Sequence, residues 1–125
     1  IGGLAHIMLP TNPANAVAGN ENKMRYADTG IPMLISMLLK QGAVKRNLTA
    51  KIAGGAQMFQ TVSNPMNAFN IGDRNVESVK KVLAENSIRI AASDTGLNYG
   101  RTIYCYVENG AVEVKTAVKR QLVIL

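Results

Sequence analysis

The chain has 125 residues, of which 47% are hydrophobic, and a formal net charge of +6 from 14 Lys and Arg against 8 Asp and Glu. This length fits one domain, spanning residues 1–125, around one hydrophobic core. No apolar run reaches the roughly 18 residues that a membrane-spanning helix needs, so we expect no membrane insertion. The single cysteine, Cys105, has no partner for an internal disulfide, which favours a reducing, cytoplasmic setting.

The positive charge favours acidic partners, but its distribution argues against nucleic acid. The basic residues are spread along the chain singly or in pairs, such as Lys45-Arg46 and Lys80-Lys81. Nucleic-acid-binding surfaces usually cluster them and interleave aromatic residues. We therefore expect an acidic protein partner. A generic basic adaptor that binds DNA or RNA is the weaker alternative.

The first ten residues contain the only histidine, His6. An apolar run closed by Pro10 predicts a buried strand, in which an imidazole needs a hydrogen-bond partner or stays neutral. His6 is therefore either a core residue or a catalytic base. Because chain termini usually lie at the surface and this run begins inside an apparent core element, we expect a segment that precedes Ile1 to be missing.

Two amphipathic helices are predicted. The first begins near Tyr26 and ends at Gly42, with Asp28 or Thr29 as its cap. The second begins with Asp73 as its cap and ends at residue 86. The apolar stripes have helical spacing. They consist of Ile31, Leu34, Ile35 and Leu38 in the first helix, and of Val76, Val79 and Leu83 in the second.

The other predicted elements are strands and polar loops. Strands are expected at residues 48–53, 88–93 and 121–125, and polar loops at residues 11–23 and 61–67. Residues 102–108 alternate in polarity, Asn109-Gly110 predicts a type I′ turn, and Val112 and Val114 lie in the returning strand of a hairpin. This order predicts an α/β sandwich, with a mixed β-sheet core, two main helices and a C-terminal β meander.

Several patterns suggest chemistry. Gly54 and Gly55 follow a predicted strand, where paired glycines allow a tight turn or a close backbone approach to a neighbouring element or a substrate. Two Asp-Thr-Gly triplets, at residues 28–30 and 94–96, suggest an aspartic protease, but the first opens a helix and the chain is too short for two lobes. One His and one Cys offer no cluster of ligands, so we expect no metal.

Cys105 is a second candidate for chemistry. With His6 as its base, it would form a nucleophilic pair of a common kind. Its position in the middle of an apolar strand instead predicts an inert core thiol, since free cysteines are among the most buried residues.

Five stretches of the chain, taken together, resemble the CheD family of chemoreceptor glutamine deamidases. They are GLAHIMLP at residues 3–10, RYAD at 25–28, AKIAGGAQMF at 50–59, NIGDRNVE at 70–77 and DTGLNYGR at 94–101. The resemblance covers nearly the whole chain. It implies an α/β sandwich that needs no cofactor and converts glutamine side chains of chemoreceptor cytoplasmic domains to glutamate, releasing ammonia. It also implies a CheC-type phosphatase as a partner.

The resemblance also implies a catalytic histidine. In the family, the nucleophile is a cysteine in a Gly-Ser-Cys turn upstream of the Ala-His-x-Met-Leu-Pro strand, and the histidine of that strand, here His6, is its base. This chain has no counterpart of that cysteine or of a nearby threonine, and Cys105 lies elsewhere in the pattern.

We therefore expect a domain truncated at its N-terminus and inactive as it stands, with oxyanion donors in the missing turn or near Gly54-Gly55. The alternative is a non-catalytic binding module for chemoreceptors or the CheC phosphatase.

Overall fold

The computed structural model describes residues 1–13, 23–57 and 71–116, and the backbone of residues 123–124. Two helices are present in these ranges, α1 (Ala27–Lys40) and α2 (Ile71–Glu85), with a short 3₁₀ helix (Lys45–Asn47) between α1 and the first strand. The strands are β1 (Thr49–Gly54), β2 (Arg89–Thr95), β3 (Arg101–Tyr106), β4 (Ala111–Thr116) and β5 (Val123–Ile124). No described helix is long and apolar enough to cross a membrane. The predicted loop at 61–67 and most of the loop at 11–23 lie outside the described residues.

The strands form two small sheets. Strands β1 and β2 pair in parallel and are connected through α2, whereas β3, β4 and β5 form an antiparallel meander in that order. The mixed α/β fold with two main helices and a C-terminal meander is thus confirmed. Its strands are divided between two sheets, and an open cavity of about 580 Å³ is lined by residues of β1 and of the β3–β4 hairpin.

The hydrophobic core lies between the two helices and the β1–β2 sheet. Helical spacing places Ile31 and Ile35 on the inner face of α1, and both are buried, as the apolar stripe predicted. In α2, Leu83 is buried as predicted and Val82 joins it. The buried cluster consists of Ala27, Ile31, Ile35, Val82, Leu83 and Ile88. The remaining stripe residues are half-buried, since the cavity borders Leu34, Leu38 and Val79.

The predicted helix caps are wrong. The carboxylate of Asp28 accepts the backbone N–H of Asn12 at 2.9 and 3.0 Å, and the hydroxyl of Thr29 donates to the carbonyl of Lys23 at 2.6 Å. Asp73 lies within the first turn of α2 and not ahead of it. A carboxylate is also favourable inside the first turn, where it faces the positive end of the helix dipole. Sequence spacing therefore does not separate a cap from a first-turn residue.

The predicted type I′ turn is also wrong. Tyr106 pairs with Ala111, so residues 107–110 form a four-residue turn. A type I′ turn needs positive φ at both central residues, and of Asn109 and Gly110 only the glycine has it, at 72°. The side chain of Asn109 instead accepts the N–H of Ala111 at 2.9 Å and so closes the turn.

Both helices end in a Schellman motif with one residue in the left-handed conformation. This residue is Gly42 after α1, with φ 94°, and Ser87 after α2, with φ 59°. After α2, the N–H of Ile88 returns to the carbonyl of Leu83 at 2.9 Å, and the equivalent bond after α1 is 3.0 Å long. Only glycine adopts this conformation without steric cost, so Ser87 is a strained cap.

We predict that Ser87→Gly raises the free energy of unfolding by about 0.5–1 kcal/mol. This is the left-handed cost of roughly 1–2 kcal/mol less the larger entropy that glycine loses on folding. The matched control, Gly42→Ala, introduces the same strain at the other helix and lowers the free energy of unfolding. Urea denaturation of the full-length protein measures both, and an unchanged midpoint for Ser87→Gly would contradict the assignment.

A hydrogen bond on the hairpin lowers the pKa of a carboxyl group. The hydroxyl of Tyr106 donates to Oε2 of Glu113 at 2.7 Å. This bond, assisted by the nearby Lys115 ammonium, lowers the pKa of the Glu113 carboxyl below its ordinary value. Because the folded-state pKa is the lower one, this carboxylate contributes stability above its unfolded-state pKa. That contribution is lost as the pH falls through the folded-state pKa.

We predict that Tyr106→Phe raises the pKa of Glu113 towards its ordinary value, because the variant lacks the hydroxyl donor. A titration of the glutamate carboxyl carbons by NMR measures the change. The control is Tyr104→Phe, since Tyr104 lies directly across from Glu113 without that hydrogen bond. Equal shifts in the two variants would show that the hydroxyl of Tyr106 is not the cause.

Candidate active site

The ends of the two parallel strands are joined by hydrogen bonds at one end of the β1–β2 sheet. The N–H of Gly96 donates to the carbonyl of Gly54 at 2.8 Å, and the N–H of Gln57 donates to the carbonyl of Leu97 at 2.8 Å. We call this region, residues 54–57 and 94–100, the strand-exit surface. Open α/β sheets bind ligands outside the carboxyl ends of their parallel strands. The strand-exit surface is therefore the candidate site.

The two predicted site glycines have different surroundings. A Cβ on Gly55 would overlap the side chain of Val76 and lie 3.0 Å from the carbonyl oxygen of Gly72, so no side chain fits there. Gly55 thus allows the end of β1 to pack against the first turn of α2. A Cβ on Gly54 would meet nothing within 4 Å. The sequence predicted either a tight turn or a close backbone approach to a neighbouring element or a substrate. Gly55 makes a close approach to a neighbouring element, whereas Gly54 borders open space.

Arg101 organises the loop after β2. Its side chain is only 2% exposed, and Nη2 donates to Oδ1 of Asp94 at 3.1 Å. Its Nη1 donates to the carbonyls of Gly96 at 2.9 Å and Tyr99 at 3.3 Å, and the guanidinium lies 4.5 Å from the centre of the Tyr99 ring. The aspartic-protease reading finds no support, since Asp94 is paired with an arginine and Asp28 accepts a backbone N–H. Sequence reasoning missed Arg101, although an Asp and an Arg that flank a glycine-containing loop were a usable signal.

His6 is exposed, so the prediction of a buried strand over residues 1–10 is wrong. Only Leu9 forms a β-bridge, in parallel with Tyr26. Ala5 and Ile7 are half-buried and border the cavity, whereas His6 between them does not border it. Over residues 5–7 this pattern is that of an extended segment, in which successive side chains point to opposite sides.

A series of contacts connects the segment that contains His6 to the strand-exit surface. Residues 8–10 are hydrogen-bonded to the starts of both helices, and the side-chain amide of Asn75 donates to the carbonyl of Met8 at 2.9 Å. Asn75 is one turn from Gly72, the residue against which Gly55 packs. His6 is two residues before Met8, about 7 Å of extended chain. No hydrogen bond or ion pair joins His6 to another described residue, so its imidazole is accessible.

Cys105 is exposed, which contradicts the prediction of a core thiol. It lies on β3 opposite Val112 and borders the cavity. The predicted core packing around this thiol is therefore absent from the described part of the chain. Within the described ranges Cys105 makes no hydrogen bond with His6, so the two do not form a nucleophile–base pair. In the same ranges, no three His, Cys, Asp or Glu side chains cluster closely enough to hold a metal ion.

We predict that Arg101→Met lowers the free energy of unfolding by about 3–5 kcal/mol, because it leaves the partly buried Asp94 carboxylate uncompensated. The control is Lys81→Met, which removes an exposed ion pair with Glu85 at 3.9 Å and changes stability by about 0.5 kcal/mol at most. Arg101→Lys keeps the charge without the planar guanidinium fork. We expect its loss in free energy of unfolding to lie between the losses of the other two variants. Chemical denaturation measures all three, and equal small losses would contradict the role of Arg101.

Fold and site define an α/β protein with joined ends of two parallel strands and an exposed histidine on the segment that packs against both helices. Residues 8–116 match the family model described as CheD chemotactic sensory transduction. The chain therefore belongs to the CheD family.

Individual relatives agree with this family. A protein of Caldanaerobacter subterraneus subsp. tengcongensis is 51% identical over 93% of this chain and 70% of its own length. One from Clostridium novyi is 53% identical over the same shares, and one from Pyrococcus abyssi is 41% identical over 98% of this chain and 73% of its own length. Each is named probable chemoreceptor glutamine deamidase CheD.

Proposed function

We propose that this protein is a chemoreceptor glutamine deamidase, an amidohydrolase that converts glutamine side chains of chemoreceptor cytoplasmic domains to glutamate and ammonia. The observation that carries this proposal is membership of the CheD family, with relatives of that name at 41–53% identity over at least 93% of the chain. The exposed side chain of His6 is compatible with it, because a general base must be reachable by the substrate. A cytoplasmic location is part of the proposal.

In the proposed reaction, His6 is the general base. It takes the proton of a cysteine thiol, and the thiolate attacks the carboxamide carbon of glutamine to form a tetrahedral intermediate. The imidazolium then protonates the departing ammonia as the thioester forms. A water molecule that His6 deprotonates hydrolyses the thioester to glutamate and restores the thiol. Imidazole suits this role because it can act first as a general base and then as a general acid.

The thiol comes, in this proposal, from a cysteine that precedes residue 1 in the parent polypeptide, as the family pattern implies. Cys105 is not its source, because it borders the cavity on β3 and makes no hydrogen bond with His6. Residues 1–125 then supply the base but not the thiol. A base without a nucleophile supplies only about 10²–10⁴-fold, too little for an unactivated amide.

Backbone N–H groups near Gly54-Gly55 are the proposed substrate-binding donors for the carboxamide oxygen. Gly54 is the stronger of the two candidates, since the space at its side-chain position is open and α2 covers that of Gly55. The proposal also includes a CheC-type phosphatase as a regulatory partner, and the net charge of +6 suits docking on acidic, Glu-rich receptor helices.

We predict that His6→Ala in the full-length protein reduces deamidation of a receptor signalling-domain fragment by at least about 10²-fold, because the thiol loses its base. Mass spectrometry of the fragment measures the conversion of Gln to Glu. The control is Met8→Ala, which removes the next exposed side chain of the same segment and leaves activity unchanged.

The outcomes of this experiment separate the candidate functions. Full activity of His6→Ala contradicts the role of His6 as base. If the unmodified protein binds the receptor fragment without deamidating it, the protein is instead a binding module for chemoreceptors.

A further inference from the structure

Leu97 is both strained and exposed. Its φ is 62°, in the left-handed region that side chains other than glycine adopt only at a cost, and its side chain is 60% exposed. Among the described residues, the only other non-glycine residue with positive φ is Ser87, which ends a helix. Leu97 ends no helix and gains little from burial. Burial of its apolar side chain therefore does not offset the free-energy cost of its backbone conformation.

The conformation of Leu97 is fixed from three sides. Its carbonyl accepts the N–H of Gln57, and the preceding residue, Gly96, donates to Gly54. Arg101 holds the carbonyls of Gly96 and Tyr99 on either side of Leu97. A loop held in this way cannot relax the strained residue. Such over-determined strain is concentrated at binding and catalytic sites.

The surroundings of Leu97 resemble the centre of a recognition surface. The adjoining Asn98 and Gln57 are exposed and polar, so the leucine is an apolar spot with polar neighbours. Interfaces concentrate their binding energy in apolar anchors with a polar rim. A side chain on a rigid backbone also loses less conformational entropy on binding than one on a mobile loop.

We propose that Leu97 is a specificity-determining residue that contacts an apolar side chain beside the target glutamine on the receptor surface. This inference rests on the proposed function. It adds a residue of the strand-exit surface that contacts the substrate and so contributes to specificity. An enzyme that acts on a glutamine within a protein must hold the flanking chain as well as the carboxamide. Leu97 lies beside Gly54, the proposed donor, and is placed to hold that flank.

The test compares Leu97→Gly, Leu97→Met and a control in the full-length protein. Leu97→Gly removes the side chain and relieves the strain, so we expect a higher thermal midpoint. We also expect KM for the receptor fragment to rise on the order of tenfold at unchanged kcat, as for a lost apolar contact. Leu97→Met keeps an apolar side chain and restores KM. The control, Met37→Ala, removes a side chain 55% exposed on α1 and changes neither quantity.

Two outcomes of the kinetic test overturn the proposal. An unchanged KM with higher stability shows that Leu97 is strained without a role in recognition, and a lower stability of Leu97→Gly shows that Leu97 serves the fold. If the unmodified protein does not deamidate the fragment, the proposed function fails separately, and calorimetry then compares binding of the fragment. Weaker binding by Leu97→Gly still supports recognition by Leu97, whereas equal binding overturns it.

Discussion

The buried guanidinium of Arg101 is the interaction on which the candidate site depends. It joins Asp94 on β2 to the carbonyls of Gly96 and Tyr99, so the end of β2, the following loop and the start of β3 form one unit. A buried charge is tolerated only when it is paired and hydrogen-bonded, which makes the position of this loop a condition for folding. Because the loop is also hydrogen-bonded to Gly54, the same arginine indirectly fixes the end of β1.

From the end of β1, a series of close contacts leads to the proposed base. Gly55 packs against Gly72 at the start of α2, which neither residue could do with a side chain. One turn later, the side-chain amide of Asn75 donates to the carbonyl of Met8. His6 lies two residues before Met8 in the sequence. Each contact joins backbone or short side chains, so the series leaves little room for displacement. The fold therefore holds the backbone from Met8 onward, whereas the imidazole of His6 is exposed and has no hydrogen bond among the described residues.

The open cavity between β1 and the hairpin explains most departures from the expected burial. It is lined by residues of both sheets, by Leu34 and Leu38 of the α1 stripe, which are half-buried, and by the exposed Cys105. Ile1 and Leu4 border it and are 67% and 65% exposed. An apolar pattern in the sequence reports which side chains prefer burial. Whether they achieve it depends on which elements stand opposite them.

The sequence by itself determined the two helices, the strands that follow the first helix, the order of these elements and the family, but not the structure of residues 1–10. Periodicity identified both helices and the inner residues Ile31 and Leu83, and the five family stretches singled out His6 and the glycines at the end of β1, whose roles remain predictions. Only the tertiary structure decided the caps, the hairpin turn, the exposure of His6, the clamp of Arg101 and the strain at Leu97. The physical reason is that periodic burial is a local property of the chain. The contacts of a polar or strained residue, in contrast, depend on residues that are distant in sequence and come together only in the folded protein.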